Sequence, residues 1–161
     1  MYELINDKFY KEYSNYIDSS IDYCIIKSNE CGIEGHKKAL MFLINKLEYT
    51  YNEDKMIFTK ISLDDLFNGS YKKMFLELPT GIPYRKMYGD KIVNENYSLK
   101  DFDYLNSLLF PNGIDNLEIY SWNFDWSDYF DEGLEWWGAL CISVYDKSCD
   151  RYVVIASSVT D

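Results

Sequence analysis

Apolar side chains recur at helical spacing through most of the chain and switch to strand spacing in its last third. Tyr2, Ile5, Phe9, Tyr13, Tyr16 and Ile17 fall on one face of a 3.6-residue repeat, with Lys8, Lys11 and Glu12 between them, which predicts an amphipathic helix from Tyr2 to Ile17. Ser19 and Ser20 interrupt it, and Ile21, Cys24 and Ile25 either continue that face or open a second short helix. A firmer helix is predicted from about Glu34 to Tyr51 on the stripe Ala39, Leu40, Leu43, Ile44 and Leu47. Lys55 to Ile61 is short and β-prone, a candidate strand. Ser62 with Asp65, and Ser98 with Asp101, have the spacing of helix caps for Leu63 to Phe67 and for a helix faced by Leu99, Phe102, Leu105, Leu108 and Leu109. A further helical piece, Tyr71 to Leu78, stops at Pro79, and the next 18 residues form the longest irregular stretch, of a length that often serves function. Strands are predicted at Leu117 to Trp122, Trp136 to Tyr145 and Arg151 to Val159, the last two joined by a hairpin turn at Asp146 to Asp150. The expected fold class is therefore α+β, with N-terminal helices packed on a C-terminal antiparallel sheet of meander and hairpin form. At 161 residues, with no repeat or linker, residues 1–161 read as a single domain.

Charge changes the picture more than size does. The chain has 16 Lys plus Arg against 27 Asp plus Glu, a formal net charge of −11. Binding to phosphate backbones rests on basic side chains that displace counterions, so nucleic acid is not expected as a partner. An anionic membrane surface is disfavoured on the same ground. Between Asp101 and Asp146 there is no Lys or Arg, yet ten of the 27 acids lie there, so the rest of the chain holds 17 acids against 16 bases. The protein is a near-neutral body with one acidic region.

That region includes Trp122 to Trp137, which contains all four tryptophans and five carboxylates. Large rings among carboxylates have the composition of an interface for a basic partner. Trp122 and Trp136 fit inward-facing strand ends. Trp126 and Tyr129, in a connection between strands, are the expected exposed anchors, with Asp125, Asp128, Asp131, Glu132 and Glu135 supplying the field.

Other chemistries find less support. Asp125, Asp128 and Asp131 are three apart, which breaks the alternate-position oxygens of a calcium loop, so no metal is expected. The same acids and rings would also suit a carbohydrate-binding or carboxylate-based hydrolytic protein, in which two acids flank a glycosidic bond and rings stack on sugar. His36, the only histidine, lies near Cys31, but no third group orients such a pair, and a lone histidine at a helix start reads as a surface residue. Phosphate-cradling glycine motifs are absent, and no cofactor is expected. Cys24, Cys31, Cys141 and Cys149 have no zinc spacing and read as reduced thiols. The start has neither basic leader nor apolar run, and no stretch is long enough to cross a membrane, so the expected location is the cytoplasm.

Trp126-Ser-Asp-Tyr-Phe-Asp-Glu-Gly133, Glu135-Trp-Trp-Gly138, Tyr145-Asp146 and Ala156-Ser-Ser-Val-Thr-Asp161 together resemble the tails of small bacterial proteins, among them immunity proteins of polymorphic toxin systems. The resemblance covers about the last quarter of the chain. It implies a non-enzymatic cytoplasmic inhibitor that covers a basic toxin domain with a charged surface, and it assigns no contact residues.

Overall fold

The computed structural model describes residues 1–16, 20–77, 98–135 and 138–158. Six strands form one antiparallel sheet: β1 (Tyr2–Glu3), β2 (Asp22–Lys27), β3 (Phe58–Lys60), β4 (Leu117–Trp122), β5 (Ala139–Asp146) and β6 (Arg151–Ser158), in the order β1-β2-β6-β5-β4-β3. The expectation of helices first and a sheet confined to the C-terminal part is overturned, because three of the six strands precede residue 61. Tyr2–Glu3 is a strand rather than the start of a helix, and the first helix, α1, is only Lys8–Tyr13, capped by the Asp7 carboxylate. Ile21 to Ile25, read as helical, lies mostly in β2. The residue types explain the misreading. Tyr23, Cys24, Ile25 and Ile26 are all buried, so β2 shows neither strand alternation nor a helical stripe.

Burial on both sides of the central strands dictates layers of helices on both faces. Along β5 and β6 almost every residue is buried. Ile25, Ile142, Val144, Val153 and Ile155 point to one face, where α1, α3 (Leu63–Asn68), α4 (Ser70–Glu77) and α5 (Leu99–Leu109) supply Phe9, Leu66, Tyr71, Phe75, Phe102 and Leu105. Cys24, Ile26, Cys141, Tyr145, Tyr152 and Val154 point to the other, where α2 (Gly32–Lys46) lays down Ala39, Leu40, Leu43 and Ile44. The class is α+β, with the sheet between two helical layers.

The caps expected at Ser62 and Ser98 are both closed as boxes. Asp65 and Asp101 donate their backbone N–H to the serine hydroxyls, and their carboxylates accept from the serine N–H groups. The predicted strand Lys55 to Ile61 shortens to β3, and the predicted turn joins β5 to β6, with Asp150 in the left-handed region at φ 48°. The irregular stretch after Pro79, Trp136, Trp137 and the end of the last predicted strand lie outside the described residues.

Candidate functional site

The connection leaving β4 is tied down residue by residue. Asn123 accepts from Ile57 N–H at 2.8 Å and donates to Lys55 O at 2.9 Å, which fastens the turn to the β3 edge. Trp126 then folds inward: its indole N–H donates to Asn123 O, its ring lies 5.6 Å from that of Phe130, and it is 1% exposed. Ser127 starts a 3₁₀ turn, Asp128–Phe130, by accepting from Tyr129 N–H and donating to Thr50 O. Asp128 accepts from both the N–H and the hydroxyl of Thr50 at 2.8 Å. The chain continues directly into α6 (Asp131–Glu135).

Trp126 and Tyr129 are therefore not the exposed anchors expected of them. Both are core residues, Tyr129 being 7% exposed. Rings this large bury more apolar area than any other side chain, and the chain turns them inward even when carboxylates flank them. Tyr129 still reaches the site through its hydroxyl, which donates to Asp22 Oδ2 at 2.6 Å. Burial, then the Asp22 carboxylate, pushes this phenol far above its ordinary range.

Above that hydroxyl opens a cleft of about 330 Å³, walled by Asp22, Tyr49, Asp128, Tyr129, Asp131 and Glu132. Of the seven residues singled out by sequence, the structure brings Asp128, Tyr129, Asp131 and Glu132 together here. Asp125 is exposed outside the cleft, Trp126 is buried in the core and does not line it, and the side chain of Glu135 is outside the described residues. Four carboxylates share the wall, and among the described residues no lysine or arginine lines it. Among the described residues, no three His, Cys, Asp or Glu side chains are grouped to hold a metal.

Asp22 and Tyr49 escape a sequence reading. Asp22 enters because β2 pairs with β6 in a register that sets it opposite Ala156, beside the end of the sheet. Tyr49 enters because α2 stops at Lys46 rather than at Tyr51, and Glu48, at φ 63°, turns the chain back. Its ring then meets that of Tyr129 edge-on at 5.2 Å and stays 44% exposed. The one hint was the run Tyr49-Thr-Tyr51 beyond the last stripe residue. A non-glycine residue in the left-handed region is strained, so Glu48→Gly is expected to raise stability by about 0.5–1 kcal/mol in urea denaturation while leaving Tyr49 in place.

The remaining sequence candidates separate. His36 is not a surface residue but fully buried, since it precedes Leu40 and Leu43 by four and seven positions and so falls on the α2 stripe. Its ring nitrogens face Ser143 and Glu118 rather than Cys31, which stays exposed. Ser143 is itself fully buried, so this Ser-His-Glu arrangement presents no nucleophile to a substrate. Of the tryptophans that the carbohydrate reading would stack on sugar, Trp122 and Trp126 are core residues. Among the described residues, no helix is long and apolar enough to cross a membrane.

No family model and no curated protein matches the chain. It is similar to two crystal structures of citrus MAF1, one in space group C 2 2 21 at 17% identity, covering 84% of this chain and 86% of that one, and one in space group P 31 2 1 at 18% identity, covering 88% and 89%, each with a TM-score of 0.44.

Proposed function

We propose that the protein is a non-enzymatic binding module that takes a basic protein partner onto its acidic cleft, as an immunity protein would in neutralising a cationic bacterial toxin. One observation carries this reading: four carboxylates, drawn from β2, the 3₁₀ turn and α6, converge on a concavity in which the described residues place no compensating base. A concave wall of one sign focuses the field and raises the encounter rate with a partner of the other sign. Tyr49 replaces Trp126 as the aromatic anchor, with a face on which a lysine or arginine can rest.

Asp131 and Glu132 are the residues to change, because both are exposed, whereas Asp128 also holds Thr50. Asp131→Asn with Glu132→Gln is expected to slow association with the product of the neighbouring gene about tenfold at low salt and to flatten its dependence on ionic strength, with the melting temperature unchanged. Stopped-flow mixing over a salt series reads both quantities. An association rate identical to that of the parent chain at every salt concentration would sink the proposal.

A further inference from the structure

Helix α2 is fastened to the sheet by a polar chain that runs through the core on its side. Trp122 Nε1 lies 2.8 Å from Ser143 Oγ, and Ser143 Oγ lies 2.8 Å from His36 Nδ1. An indole N–H can only donate, so the serine oxygen accepts from it. The serine hydroxyl proton then goes to His36 Nδ1, since the described residues offer it no other acceptor. This fixes the neutral imidazole with its own hydrogen on Nε2. That nitrogen is buried without a hydrogen-bond partner, 3.4 Å from Glu118 Oε1. Glu118 is held from its other side by Lys147 Nζ at 2.9 Å. The rings of Tyr120, Tyr152 and Tyr145 stand edge-on around the imidazole at 4.6, 5.1 and 6.4 Å.

The titratable groups facing His36 are thus Glu118 and Tyr120 from β4, Tyr145 from β5, Tyr152 from β6, and Lys147 from the turn that follows β5. Burial outweighs the attraction of Glu118 and pushes the imidazole down to about 4. Protonation would place a second hydrogen on Nδ1, directed at Ser143 Oγ. The hydroxyl proton of Ser143 would then have no acceptor, and the new charge would face only a carboxylate already engaged by Lys147.

We propose that His36 is an acid-sensitive lock, and that its protonation releases α2 from the sheet together with Tyr49, which follows α2 into the wall of the acidic cleft, and Thr50, which holds Asp128 there. Only the effect on partner binding rests on the reading of the cleft given above; release of the helix does not. The sign follows from linkage. A released imidazole has its ordinary value of about 6.5, so between pH 6.5 and 4 the open form takes up a proton that the closed form refuses. Opening therefore grows about tenfold per pH unit as pH falls through that window, and levels off below it.

Hydrogen exchange of the full chain, corrected for intrinsic rates, tests this at the amides of Gly35 to Leu43. The wild type is expected to lose protection about tenfold per pH unit between pH 6 and 4.5, and His36→Gln to show no such slope. Equal slopes in the two proteins would overturn the lock. Should His36→Gln fail to fold, nitrogen-15 spectra of the wild-type imidazole decide: hydrogen on Nε2 with titration well below pH 6 supports the proposal, and hydrogen on Nδ1 or ordinary titration overturns it. Helix release with partner association unchanged between pH 7 and 5 would retain the lock and overturn its coupling to the cleft.

Discussion

Trp126→Ala is expected to cost about 3–5 kcal/mol of stability, the range for removing a large buried ring. In a domain of this size that corresponds to a fall in melting temperature of about 10 °C. The ring is enclosed between Phe130 and the α2 layer, and its N–H closes the turn at Asn123. Loss of the ring also loosens the 3₁₀ turn above it, so weaker partner binding in this variant would follow from a damaged scaffold. Thermal denaturation separates the two views of this residue. An unchanged melting temperature with weakened binding would return Trp126 to the surface role its sequence neighbours suggested.

Gly35→Ala is the second large effect. A Cβ at this position would lie 2.0 Å from the hydroxyl of Tyr152 and 3.0 Å from Glu30 O. Neither neighbour can yield cheaply. Tyr152 is fully buried, stacks on Tyr145 at 4.6 Å and donates its hydroxyl to Glu30 O. The helix must therefore lift, at a cost of about 2–3 kcal/mol by the usual range for overpacking. Tyr152→Phe removes the offending oxygen, so the double variant is expected to be less destabilised than the sum of the two single changes, which a denaturant cycle measures directly.

The local, covalently short-range features were legible in the sequence, and those that depend on distant pairing were not. Ser62 and Asp65, or Ser98 and Asp101, interact across three residues, and spacing alone reveals them. β4 and the turn between β5 and β6 were likewise readable, because alternation and turn chemistry are local. β1 and β2 were not, because what makes Tyr2 and Asp22 strand residues is the ladder to Lys27 and to Ala156. The candidate site divides along the same line. Asp128, Asp131 and Glu132 are near neighbours, so their acidity was visible, while Asp22 joins them from more than 100 residues away and carries no mark of it. Trp126 and His36 mislead for a further reason. Each has a charged sequence neighbour; the packing of α2 against the sheet takes Trp126 inside, whereas His36 goes inside on the α2 stripe, a spacing visible in the sequence.

The place of β6 in the sheet has a kinetic consequence. It lies between β2 and β5, so residues 151–158 join β1 and β2 to the other three strands. Until that segment is added, the chain holds two separate pieces of sheet, each with an open apolar edge. Pairings over such long separations make for slow folding and expose strand edges in the interval. A nascent chain that has not yet reached Arg151 is thus the stage most open to aggregation, and the long-range ladder between β2 and β6 is the one that joins the two pieces.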